Sequence, residues 1–393
     1  MKRILLAIIM ALTSIASADV LMGTNLYGVC EYSPEIPFAN ACKMATPFYS
    51  SGKYGGADGR PLAVDANGYP VALLAGQTAI SYLFTSSTHH PEGEYVFQYD
   101  GAGTVKIQGA GTRLANGNVQ IVAGSVCIRI TSTPVTNMRL WLPGHDASDT
   151  FNKQFVESVR PYYVLRFMNW CAVNSTYGQT ETKPAWGELT DYTWADKANG
   201  GVPMSVYLAL CEEVGARPWL NIHHAADDAY VQRFFDALPS NTDAIIEYSN
   251  EIWNGQFRQS GWCGERGIAA GLDTQAWAAK LYWQAERTRR IKELSGGKGT
   301  IVLASQAANV GVAKALLGRF KADALAIAPY FGCDNPTVER LRTVGIPQSL
   351  RWIDANKAVA DSYGVPLMLY ECGQHLIGST ALQNTPDMEA LYT

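Results

Sequence analysis

The sequence predicts an α/β chain of the (β/α)8 TIM-type barrel class carrying an inserted antiparallel β module, and three observations lead there. After Pro143, short apolar runs of strand length alternate with helical patterns down to the carboxyl end. No Gly-rich nucleotide loop follows the first strand, which disfavours the alternative, a doubly wound open sheet. Two of the apolar runs end directly in a glutamate, Glu251 and Glu371, and a barrel gathers its functional groups at the carboxyl ends of its strands.

In chain order, the first residues are Met1-Lys-Arg3, then an uncharged apolar run from Ile4 to Leu12, then Ala16-Ser-Ala18. A basic start, a short apolar stretch and small residues at a cleavage point describe a secretory signal over residues 1–18, and hence a secreted or periplasmic product. No later stretch reaches the roughly 18 consecutive apolar residues of a membrane span, so no membrane partner is expected. Cleavage would remove Lys2 and Arg3 and leave 29 basic against 35 acidic residues. That acidic balance argues against nucleic acid as a partner.

Residues 19–50 supply the first barrel strand, Val20 to Val29, and an irregular segment after it. Residues 51–143 read differently, being rich in Gly and turn signals. Period-two runs at 76–84, 93–99, 103–108, 118–122 and 126–130, with turns at Asp100-Gly and Asn116-Gly, mark an antiparallel, sandwich-like module. If that module meets sugar, Tyr95 and Tyr99 are its aromatic candidates, although alternation turns one face of their strand inward. Residues 144–393 form the remainder of the barrel, with strands expected at 163–168, 217–222, 244–249, 300–304, 324–328 and 366–370. The clearest helices are 274–294 and 349–363. With the first strand the count is seven. The chain stops at Thr393, inside what reads as the seventh helix, so the expectation is a barrel truncated before its eighth strand.

Eight cysteines fit an oxidising compartment, with Cys333 and Cys372 near the ends of neighbouring strands as one conceivable bridge and buried thiols as the other reading. Their spacing is not that of a metal site. The run His223-His224 with Asp227 and Asp228 spans a strand-to-helix bend and cannot face one point without strain, so neither metal nor cofactor is expected. Asn174-Ser-Thr176 is a formal glycosylation sequon.

Two carboxyls delivered from different strands suit glycosidic bond cleavage, where one protonates the leaving oxygen and the other attacks or stabilises an oxocarbenium-like centre. At Glu247-Tyr-Ser-Asn-Glu-Ile-Trp-Asn254 and Tyr370-Glu-Cys-Gly-Gln-His375 the chain resembles the clan of retaining (β/α)8-barrel glycoside hydrolases that includes cellulases and mannanases. With Leu165-Arg-Phe-Met-Asn-Trp170 and His223-His-Ala-Ala-Asp-Asp-Ala-Tyr-Val231, it looks like a secreted bacterial subgroup in which a β module interrupts the barrel early. The resemblance implies Glu251 as general acid/base and Glu371 as nucleophile. It implies Arg166 and Tyr330 as supports of Glu371, Asn250 as a donor to a sugar hydroxyl and His224 as a substrate-side histidine. Each support also has a structural reading, as a salt-bridge arginine, a core tyrosine or a packed loop histidine. Trp170, Trp219 and Trp253 either line a sugar subsite or pack in the core. Cys372 stands where the relatives carry glycine. The expected function is a retaining hydrolase of a β-linked polysaccharide or oligosaccharide. A transglycosylase, or a carbohydrate-binding protein on the same scaffold, is the alternative.

Overall fold

A computed structural model describes residues 21–52, 57–85, 90–171, 173, 202–334 and 336–375. The expected signal segment, the sequon and the helix near residue 387 lie outside them. Two compact units divide the chain, Asn25–Thr242 and a second made of Met1–Thr24 with Asp243–Thr393. Both are α/β in character.

The short β1 (Gly23–Asn25) ends at Asn25, where the first unit begins, and Leu26 N–H donates to Arg166 O at 3.0 Å. An antiparallel sheet follows, built from β2 (Tyr49–Ser51), β3 (Thr78–Leu83), β4 (Gly93–Asp100), β5 (Thr104–Arg113), β6 (Val119–Ser132) and β7 (Thr136–Trp141). The two runs expected at 118–122 and 126–130 are a single strand, β6. Its amino-terminal part pairs with β4 and its carboxyl-terminal part with β3, while β5 runs along the opposite edge past two register shifts. Residues 122–125, exposed between the two pairings, form the bend, and Gly124 takes φ +123° there, a conformation open to glycine. The long β5–β6 hairpin is thereby shared by two half-sheets, β2-β3 and β4-β7. Period-two alternation turns Ala79, Leu83, Val126, Ile128 and Ile130 into the interior. Tyr95 is fully buried, its hydroxyl donating to Pro91 O at 2.6 Å, so it is a core residue and not a surface sugar contact. Tyr99 is half-buried, with its hydroxyl on Gly103 O.

After α1 (Lys153–Val159), capped by the Asn152 side chain accepting from Gln154 N–H, come β8 (Val164–Arg166), α2 (Met204–Val214), β9 (Arg217–Ile222) and α3 (Asp228–Ala237). Strands β8 and β9 pair in parallel, Arg166 opposite Trp219. The β/α alternation read in the sequence is therefore present, with strand bounds within a few residues of those expected.

The second unit holds β10 (Ile245–Tyr248), α4 (Arg258–Ala269), α5 (Ala276–Leu294), β11 (Thr300–Ser305), α6 (Val310–Arg319), β12 (Ala324–Ile327), a short β13 (Tyr330–Phe331), α7 (Ile346–Ser362), β14 (Leu367–Leu369) and β15 (Gly373–Gln374). Strands β10, β11, β12 and β14 are parallel neighbours in that order. Their short apolar runs are buried on both faces in the central members, as a parallel sheet covered by helices requires. Leu303 and Leu325 of the sheet pack with Leu281, Ala285, Val312, Leu316 and Val359 from the helices. The sheets are open, so a closed eight-stranded barrel is not what the described residues form. None of their helices is long and apolar enough to cross a membrane.

Candidate active site

Both glutamates singled out in the sequence belong to the second unit, each just past the carboxyl end of a parallel strand. Glu251 follows β10 in a strained loop. Ser249 and Glu251 both adopt left-handed backbone conformations, φ +62° and +46°, which for residues bearing a Cβ cost on the order of 1–3 kcal/mol each. Such a loop persists only if its surroundings over-determine it, and here they do. Asn254 N–H donates to Glu251 O at 2.9 Å, Gln259 Nε2 to Asn250 O at 2.9 Å, and Lys280 Nζ to Trp253 O at 2.9 Å. Lys280 also reaches Ser260 Oγ, and burial lowers its pKa. The Glu251 side chain is 9% exposed. Its Oε2 accepts from Asn254 Nδ2 at 3.0 Å and its Oε1 from the Tyr370 hydroxyl at 3.2 Å.

Glu371 follows β14, which β11 and β12 separate from β10. Pairing of β14 with β12 continues one residue beyond the strand, Tyr370 N–H donating to Ile327 O at 3.0 Å. A second, smaller parallel ladder then forms as Tyr330 aligns with Gly373 and Phe331 with Gln374. That register places the Tyr330 hydroxyl on Glu371 Oε2. The His375 ring lies 5.4 Å from that of Tyr330. Cys372 avoids the left-handed region, which Gly373 takes instead at φ +131°, so cysteine is sterically tolerated after Glu371.

Tyr370 joins the two arrangements. It immediately precedes Glu371 in the chain, yet its hydroxyl donates to Glu251, accepts from Trp253 Nε1 at 3.3 Å and lies 3.5 Å from Ser305 O at the end of β11. Burial, with the Glu251 charge adding to it, pushes the phenol pKa well above its usual range, so Tyr370 remains a neutral donor. The sequence reading did not single out Tyr370. The available signal was a hydroxyl-bearing residue closing an apolar strand just ahead of the glutamate, which its phenol needs a partner to occupy.

Of the other expected residues, Trp253 and Tyr330 belong to this unit and join the cluster. Asn250 sits in the strained loop, buried, with its carbonyl bonded to Gln259. Arg166 and His224 belong to the first unit. Arg166, 2% exposed at the end of β8, donates from Nη1 to Asn25 Oδ1 at 3.2 Å, with its guanidinium 5.9 Å from the Trp219 ring. His224 is 1% exposed just beyond β9, its ring 4.1 Å from that of His223. His223 accepts from Ala225 N–H at Nδ1, and burial pushes its pKa down to about 4. Asp227 is the cap of α3, accepting from Tyr230 N–H at 2.8 Å. Trp170 and Trp219 are core side chains. The cysteines form no disulfide, so the bridge between Cys333 and Cys372 is not made.

Compared with known proteins, the sequence matches no family model and no curated protein. Among solved structures it is similar to the GH51 arabinofuranosidase from Xanthomonas axonopodis pv. citri, at 13% identity and a TM-score of 0.36. The match covers 57% of this chain and spans about half, 51%, of that enzyme.

Proposed function

We propose that this chain is a glycoside hydrolase, exported from the cytoplasm, that cleaves a β-linked polysaccharide or oligosaccharide with retention of configuration. The observation that carries this reading is the Tyr370 hydroxyl bond to Glu251, which ties the carboxylate after β10 to the segment bearing the carboxylate after β14. Two carboxyls at the carboxyl ends of strands in one parallel sheet are what double displacement requires.

In that mechanism Glu371 attacks the anomeric carbon. The glycosidic C–O bond breaks as the new ester bond forms, and the departing oxygen takes a proton from Glu251. Water, giving its proton back to Glu251, then attacks the same carbon and releases Glu371. The Tyr330 hydroxyl donates to Glu371 Oε2 and orients the carboxylate for attack. Within the same unit, Asn250 is assigned to a sugar hydroxyl and Trp253 to the substrate side. The strain stored at Glu251 holds its carboxyl in one direction, so little ordering remains to be done on binding.

The deciding experiment is a screen of the purified protein against β-glucans, mannans and xylans with detection of new reducing ends, run beside Glu371→Gln. Release of reducing ends by the wild type alone supports the reading. Turnover that survives Glu371→Gln would sink it, and saccharide binding without any turnover would favour a carbohydrate-binding protein on this scaffold.

A further inference from the structure

The antiparallel module carries a groove that the glutamate cluster does not use. It encloses 760 Å³ between residues 73–77 and the outer face of β3, β6 and β5. Its floor is set by register. Lys106 of β5 lies directly opposite Arg129 of β6, two cations side by side on one face. Like charges in that relation destabilise a sheet. No carboxylate lines the groove to offset them, although acids outnumber bases in the whole chain.

Arg129 is not loose. Its Nε donates to Gln108 Oε1 at 2.9 Å and its Nη1 to Thr78 Oγ1 at 2.8 Å, which fixes the guanidinium plane. Nη2 has no such bond among the described residues. Lys106 forms no ion pair or hydrogen bond there and is exposed. Thr131 adds a hydroxyl to the floor, and Leu74, 61% exposed, gives the groove an apolar wall. An oriented guanidinium, a second cation, hydroxyl and amide groups and an apolar wall, in a groove open along its length, together suit a chain that is anionic and polyhydroxylated with apolar C–H faces. Nucleic acid fits less well, because no aromatic ring lines the groove to stack a base.

We infer that this groove binds an acidic polysaccharide, with Lys106 and Arg129 contacting its carboxylate or sulfate groups. The choice of a saccharide over another polyanion rests on the glycosidase reading; the charge class rests on the groove alone. The site would hold the polymer on the protein while the glutamate cluster works on it, which raises the local concentration of cleavable bonds.

The test is affinity electrophoresis of the full chain in gels containing polygalacturonate, dextran sulfate, neutral β-glucan or single-stranded DNA, repeated at rising salt. The expected result is retardation by an acidic polysaccharide, weakening with salt. Lys106→Glu, at an exposed position whose side chain bonds nothing among the described residues, should weaken it about fivefold or more. Arg129→Gln should do the same, and circular dichroism of both variants reports whether the module has kept its sheet. The stronger of the two acidic polymers names the anionic group. Absence of retardation by both, equal retardation by neutral glucan, stronger retardation by DNA, or retardation unchanged in Lys106→Glu would each overturn the inference. Binding is measured in Glu371→Gln as well. Retardation with no enzymatic turnover in the wild type leaves the groove standing and removes the hydrolase; turnover without retardation does the reverse.

Discussion

Helix α4 presents three glycines at successive turns, Gly261, Gly264 and Gly267, and replacing each by alanine should give three different answers. A Cβ at Gly261 meets nothing within 4 Å. There alanine should stabilise by about 0.5–1 kcal/mol, the helix-propensity difference. At Gly264 the Cβ would lie 3.4 Å from Ala276 O and 3.8 Å from Ala276 Cβ, close to ordinary contact, so the same gain is offset and the change should be near zero. At Gly267 it would overlap the Ala279 carbonyl oxygen, 2.6 Å from its carbon and 3.1 Å from Cα. Carbon atoms at rest sit roughly 3.5–4.0 Å apart, so α5 must retreat by about 1 Å. The obstacle is backbone, with no side-chain rotamer to relieve it. Overpacking of this kind costs typically about 1–3 kcal/mol and, after the propensity gain, leaves a net loss of up to about 2.5 kcal/mol, placing Gly267→Ala about 1–3 kcal/mol below Gly261→Ala. The assay is the midpoint of urea unfolding at constant m-value, which separates stability from changes in compactness. The displacement also reaches the candidate site, because Lys280, the next residue along α5, holds Trp253 O in the Glu251 loop. Gly267→Ala should therefore lower any glycosidase activity while Gly261→Ala leaves it intact. A Gly267→Ala protein as stable as Gly261→Ala would refute the reasoning, since it would mean that the two helices do not pack backbone to backbone.

Three further outcomes follow from the site. Glu371→Gln should abolish turnover on every substrate, whereas Glu251→Ala should keep the first step on aryl glycosides with good leaving groups and regain the second with added azide; equal, unrescuable losses would contradict the division of roles. Tyr330→Phe removes a charge-assisted bond worth about 1.5–3 kcal/mol, so kcat/KM should fall about 10- to 100-fold with the fold intact by circular dichroism; an unchanged kcat/KM would remove Tyr330 from the mechanism. The buried neutral His223 binds its proton less readily folded than unfolded, with a folded pKa near 4 against the ordinary 6.5. Its contribution is present above about pH 6.5 and lost as pH falls toward 4, by up to about 3 kcal/mol, so the acid-side drop in urea midpoint should be shallower in His223→Gln, and equal slopes would contradict the assignment.

The sequence by itself located the strands, the clearest helices and the two strand-end glutamates, because those signals are local. An apolar run of strand length bounded by turn residues reads the same wherever it ends up, and Ile245–Tyr248 and Leu367–Leu369 were visible as such. It also showed an antiparallel module, but split β6 in two, since the exposed bend at 122–125 interrupts the alternation that marks a strand, and it did not single out β7. Tertiary structure alone decided what depends on pairing. The Tyr370 hydroxyl, one residue before Glu371, reaches Glu251 because β10, β11, β12 and β14 are laid side by side, and no local pattern states which strands become neighbours. The left-handed conformations at Ser249 and Glu251 are likewise invisible in a sequence that offers no glycine there; they are imposed by Gln259, Lys280 and Asn254 closing on the loop. The cation pair of Lys106 and Arg129 exists only through the register of β5 on β6, two residues far apart in the chain and set opposite each other by hydrogen bonds between strands.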